Sequence, residues 1–166
     1  MSAPPRARHP NAAETTPRSI APARPPPTAP RIGKPAVFKD VLGEPLTINE
    51  RLFQSAAGEW KLEKDDRHRY LLLLADTIKS PDEIWAYWEP LRDTPGKSRL
   101  VRRYIKAFDL ADQQQFGYGV FELRDEGWTG TTLFMPRQDR SDAVRLRYIN
   151  NQRAGSIIYR KGGVRI

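Results

Sequence analysis

Ten of the 15 prolines in this 166-residue chain lie at or before Pro35, and this asymmetry decides where a folded core can begin. Between Met1 and Pro35 large apolar side chains are almost absent, with Ile20 and Ile32 as the exceptions. A segment so poor in apolar surface cannot offset the entropy lost on ordering it. The Pro25-Pro26-Pro27 run stiffens part of it into a spacer. Residues 1–35 are therefore expected to form a disordered proline-rich tail or linker, and residues 36–166 a single folded domain. About 130 residues suffice for one hydrophobic core.

Cysteine is absent and histidine occurs twice, at His9 and His68. Disulfides, thiolate metal sites and cysteine nucleophiles are excluded together, and a histidine-rich metal site has too few ligands. No metal and no cofactor are expected. The longest apolar run, Leu71 to Ala75, is far too short to cross a bilayer. The N-terminal arginines are not followed by the apolar stretch of a secretory signal. The location expected from these absences is cytoplasmic, with no membrane partner.

The net charge of +8 is unevenly placed. Residues 36–96 carry eight basic and 12 acidic side chains, whereas residues 97–166 carry 14 basic and seven acidic. A basic folded segment points to a polyanionic partner. The alternative is plain solvation of an exposed sheet face.

Val37-Phe38 forms a short apolar entry, and Gly43-Glu44-Pro45 a turn. Thr47 to Glu50 reads as a capping box opening a short helix with Leu52 and Phe53 inward. Tyr70, Leu71, Leu74 and Ile78 make an apolar stripe of helical period, predicting a helix over 67–78 capped by Asp65 or Asp66. Ser80-Pro81-Asp82-Glu83 has the order of a third helix start: serine cap, proline at the first position, acids in the first turn. That helix would carry Ile84, Trp85, Tyr87 and Trp88 until Pro90, the two tryptophans serving as core or as a ligand platform.

After Gly96 the period becomes that of strands: 99–108, 116–124 and 128–135, with Asp125-Glu126-Gly127 turning between the last two. Residues 142–152 suit a helix with Val144, Tyr148 and Ile149 inward, and 156–161 a fourth strand. The predicted architecture is α+β: N-terminal helices packed on one face of a four-stranded antiparallel sheet, with a helix before the last strand and the other face open.

The candidate site is that open face. Arg102, Tyr104 and Lys106 alternate and should project together, about 7 Å apart, over a buried Val101, Ile105 and Ala107. Cations beside an aromatic ring suit single-stranded RNA, giving charge for phosphate and a platform for a base. They also suit a phosphoryl transition state, with lysine, tyrosine or the domain's lone imidazole, His68, to move a proton. Thr131 in the third strand, Arg153, and Arg160-Lys161 in the last strand are candidates for binding the nucleic-acid backbone.

Four segments carry a resemblance: FKDVLGEPLTINERLF (38–53), RYLLLLADTIKSPDEIW (69–85), RRYIKAF (102–108) and RAGSIIYRK (153–161). Together they resemble the barnase–EndoU–colicin–RelE-like nuclease domain of phage Mu-like head morphogenesis proteins. The resemblance implies a metal-independent ribonuclease whose substrate ribose 2′-hydroxyl attacks the adjacent phosphorus, leaving a 2′,3′-cyclic phosphate. The positions that match are Arg103, Tyr104 and Lys106 in the strand motif, with Arg153 and Tyr159 near the end. Arg103 disagrees with the alternation, which places it on the opposite face. The partners implied are RNA, tRNA among the candidates, with a phage head protein or an immunity protein. Two classes of function stay open: a phage-associated, toxin-like ribonuclease, or a non-catalytic phage head domain that binds nucleic acid or other head proteins.

Overall fold

The computed structural model describes residues 35–54, 57–59, 70–111, 113–136 and 139–162. The expected tail, the Asp65/Asp66 cap and His68 lie outside these residues.

The domain is built on one seven-stranded mixed sheet rather than a four-stranded antiparallel one. In chain order the strands are β1 (Ala36–Lys39), β2 (Pro45–Ile48), β3 (Glu83–Pro90), β4 (Ser98–Leu110), β5 (Gln113–Arg124), β6 (Gly127–Phe134) and β7 (Ser156–Arg160). Their order across the sheet is β1-β2-β6-β5-β4-β3-β7. Every pairing is antiparallel except β2 with β6, where Leu46 lies opposite Trp128. A 3-10 turn (Glu50–Phe53) and the helices α1 (Leu71–Lys79) and α2 (Asp142–Gln152) complete the fold.

The first correction is local. The β1–β2 hairpin is closed by Asp40, whose Oδ1 accepts from the Leu42 and Glu44 amides, both at 2.9 Å. Gly43 supplies the left-handed turn at φ +81°. Thr47 belongs to β2, and the short helical turn is capped instead by Asn49, whose side chain accepts from the Arg51 amide at 3.0 Å.

The second correction is larger, because the predicted helix after Ser80 is strand β3. Asp82 does not cap a helix; its Oδ2 accepts from the Ala107 amide at 2.9 Å and its own amide donates to Ile105 O at 2.9 Å. Tethered to β4, the chain runs on extended, which suits Ile84, Trp85, Tyr87 and Trp88, all good strand formers. Alternation puts Ile84 and Trp88 on one face, opposite Tyr104 and Leu100, and Trp85 on the other. Ile84 is buried at 0% exposure, Trp85 is half-buried, and Trp88, near the end of the strand, is 66% exposed.

Both faces of the sheet carry a helix, so neither is wholly open as expected. On the first face Tyr104, Ile84, Phe121 and Leu133 pack with Leu74 and Ile78 of α1 and Leu52 of the 3-10 turn. On the second, Ile105, Phe116 and Tyr118 pack under Ile149 of α2. Val144 points outward at 41% exposure, and the deeply buried member of α2 besides Ile149 is Arg145. The Arg145 Nε donates to Gln114 O at 2.8 Å, and the same guanidinium bonds Arg140 O and Asp142, which anchors α2 on β5. The β4–β5–β6 meander and its turn at Asp125-Glu126 match the sequence expectation.

Candidate active site

Alternation along β4 sends even-numbered side chains to the first face and odd-numbered ones to the second. Arg102, Tyr104 and Lys106 therefore share a face as expected, but it is the interior one. Tyr104 is 0% exposed, and its hydroxyl donates to Asp40 Oδ2 at 2.6 Å. Burial, and then the hydrogen bond and charge of Asp40, push its phenol far above the ordinary tyrosine value. Arg102 lies over the Trp128 ring, 4.1 Å from its centroid, and pairs with Asp40 at 3.7 Å. Lys106, 9% exposed, bonds Asp76 at 2.9 Å and Ser80 O at 2.7 Å. The exposed cationic row read from the sequence is thus overturned. Each member meets an acid or a carbonyl supplied from elsewhere in the chain.

The remaining candidates are scattered. Tyr159 packs against the first core. Thr131 is the extra residue of a bulge between β5 and β6, its hydroxyl donating to Val120 O at 3.2 Å. Arg153 binds Glu83 through Nε at 2.8 Å, next to exposed Arg160 and Lys161. Burial opposes charge on Glu83, but bonds from Arg153 and Trp85 hold its carboxyl below the usual range.

Arg103 alone reaches the second face beyond the end of α2, and there a polar cluster surrounds it. Register puts Trp85 opposite Arg103, Tyr87 opposite Val101, and Glu89 opposite Arg99. On the other flank Glu122 lies opposite Val101. Buried Val101 thus forms the floor between polar side chains of three adjacent strands. The Arg103 guanidinium lies 4.0 Å from the Tyr87 ring centroid, bonds its hydroxyl, and donates to Gln152 O at 2.9 Å. Tyr87 donates to Glu89 Oε1 at 2.7 Å, and Arg99 donates to Glu89 Oε2 at 2.7 Å and to Glu122 Oε2 at 3.0 Å. Tyr118 donates to the Gln152 side chain at 3.1 Å.

Burial works against charge on Glu89, yet the bonds from Tyr87 and Arg99 and the charges of Arg99 and Arg103 more than offset it. Its carboxyl is held below the usual range. Burial and the bond to Glu89 raise Tyr87, against the opposing charge of Arg103. The face thus holds an ionised carboxylate, two cations and a protonated phenol within hydrogen-bonded reach of one another. Such a set can take a proton from one side of a phosphoryl group, steady charge on it, and return a proton on the other. Among the described residues no group of three or more acidic or imidazole side chains could hold a metal ion.

The family model of the phage-Barnase-EndoU-ColicinE5/D-RelE like nuclease2 matches residues 27–160. The chain belongs to that family. It is a nuclease domain, and the matched span covers β1 through β7 with the whole polar face. No curated protein and no solved structure matches the chain.

Of the polar cluster on this face, the resemblance had singled out Arg103, whereas Tyr87, Glu89, Arg99 and Glu122 were not among the sequence candidates. The signal was present: Glu83, Trp85, Tyr87 and Glu89 fall at period two, a pattern that a helical reading of the same segment dissolves.

Proposed function

We propose that this domain is a metal-independent endoribonuclease that cleaves RNA by transesterification on the β3–β4–β5 face. The observation that carries the reading is Glu89, kept ionised between Tyr87 and Arg99 on an open face that Arg103 also reaches. In this reading Glu89 takes the proton of a ribose 2′-hydroxyl. The O2′–P bond forms as the P–O5′ bond breaks, and Arg99 and Arg103 neutralise the growing phosphorane charge. The departing O5′ takes its proton from Tyr87. Burial is the main influence that raises the phenol; protonation of Glu89 removes the further rise due to its bond and charge, while Arg103 remains to stabilise the phenolate. The products are a 2′,3′-cyclic phosphate and a 5′-hydroxyl.

Arg153, Arg160 and Lys161 extend the positive surface for the RNA backbone. Tyr104 and Lys106, being interior, hold the sheet and do no chemistry in this scheme. The wider role that fits a nuclease of this family is a toxin-like effector carried by a phage, in the setting of Mu-like head morphogenesis, with tRNA among its targets and an immunity protein as its restraint.

The test is incubation of purified protein with bulk tRNA and single-stranded RNA in EDTA, followed by mapping of the ends. Cleavage that survives chelation and leaves cyclic phosphates is the expected result. Activity that requires added Mg²⁺ would reject the mechanism. RNA binding with no cutting would favour the non-catalytic head domain instead.

A further inference from the structure

The β3–β4 connection is longer than a tight hairpin needs. Pro90 still pairs with Ser98, and the seven residues between them form a loop closed by Leu91 N to Lys97 O at 2.9 Å and Lys97 N to Thr94 O at 3.1 Å. Gly96 turns its corner at φ +80°. Residues 89–94 and Arg99 line a cleft of about 540 Å³, within the range that holds small ligands. Two of its walls, Glu89 and Arg99, are members of the candidate active site. The others include Arg92 and Asp93, which make no ion pair or hydrogen bond among the described residues. The contrast is sharp, because Glu89, Arg99 and Glu122 are all cross-paired.

We infer that this cleft is the subsite for the nucleobase immediately upstream of the cut, with Arg92 and Asp93 reading its edge. The inference rests on the ribonuclease reading above and follows from connectivity. A 2′-hydroxyl placed at Glu89 belongs to the upstream ribose, whose base is attached one carbon away, at C1′. With that hydroxyl at the mouth of the cleft, the base falls inside it. Arginine donors meet base acceptors such as ring nitrogens and carbonyl oxygens, and a carboxylate meets exocyclic amines and ring N–H groups. One base edge can satisfy both. Pro90 and Leu91 supply the apolar wall that a ring face requires.

The experiment uses a pool of RNA oligonucleotides of randomised sequence, cut by the parent protein and by R92A, D93A and the double variant, with the new 3′ ends sequenced. Both substitutions lie at exposed loop positions, and equal melting temperatures would confirm intact folds. The parent should show a preference at the base carrying the new 3′ end, and the variants should lose it by about tenfold, the discrimination of one good hydrogen-bonded pair, while still cutting. A preference unchanged in the variants, or one confined to the base downstream of the cut, would overturn the subsite alone. If the parent cuts no RNA at all, the ribonuclease reading falls and this inference falls with it.

Discussion

Arg103 lies over Tyr87, its guanidinium carbon 4.0 Å from the ring centroid, while the same guanidinium bonds the hydroxyl at the ring's edge and a carbonyl at the end of α2. A planar, five-donor cation is needed to stack and bridge in this way, and lysine offers neither the plane nor the fork.

Arg103→Ala is therefore expected to lower RNA cleavage by about 10²- to 10³-fold, the usual cost of one missing donor at a developing anion. The loss in stability should be only about 1 kcal/mol, that of a half-buried cation–ring contact. Arg103→Lys should keep the charge and recover little of the rate. Initial rates and urea midpoints on the same preparations separate the two effects.

Glu89 sets the pH dependence. Its folded-state carboxyl lies below the ordinary glutamate value of 4.5, so the base is ionised throughout the neutral range. Activity should be lost only as pH falls through that lowered value. The acid limb of kcat/KM is thus expected below pH 4.5. Glu89→Gln should cut the rate by about 10²- to 10⁴-fold, as loss of a general base does, and its residual activity should show no such limb. A limb near 6 to 7 in the parent would assign the base to another group.

Tyr104→Phe tests the inward orientation of the strand residues that looked exposed in sequence. The phenol donates to a buried carboxylate oxygen of Asp40 at 2.6 Å, so its removal leaves that oxygen only the longer pairing with Arg102 at 3.7 Å and should cost about 1–3 kcal/mol in urea unfolding. Cleavage by the folded protein should stay at the parental rate. A silent effect on stability with a large loss of activity would return Tyr104 to the chemistry.

Gly117 tests the packing of α1 on β5. A Cβ built there would stand 1.8 Å from Thr77 Oγ1 and 2.9 Å from Thr77 Cβ, on a helix residue fully buried against the sheet. Gly117→Ala should destabilise the domain by about 1–3 kcal/mol, as overpacking does. Adding Thr77→Ala should return part of that loss in thermal melts. Additive destabilisation in the double variant would place the strain elsewhere.

The meander β4–β5–β6 was readable because Arg99 to Phe108 and Trp128 to Met135 alternate and Asp125-Glu126-Gly127 turns between strands. Two features hid the rest. Ser80-Pro81-Asp82-Glu83 carries each local cue of a helix start, and only Asp82's bonds to Ile105 and Ala107 override them, 23 and 25 residues away in the chain. A sheet covered on both faces also mixes polar and apolar residues on each side. Alternation then reveals which residues share a face without revealing which face is wet. The acid that turns Tyr104 inward, Asp40, lies 64 residues earlier. Arg103 was reached by resemblance, and its neighbours Tyr87 and Glu89 were lost with the strand that carries them.

The parallel pairing of β2 with β6 has a consequence for the order of assembly. Leu46 must find Trp128 across some 80 intervening residues, and closing so long a loop is entropically late. Tyr87, Glu89, Arg99, Arg103 and Glu122, by contrast, sit on three successive antiparallel strands joined by short connections. These can zip locally while β1 and β2 are still searching. The proposed catalytic face is thus expected to take shape early in folding, and the hairpin that supplies Asp40 to close last, locking a surface that has already formed.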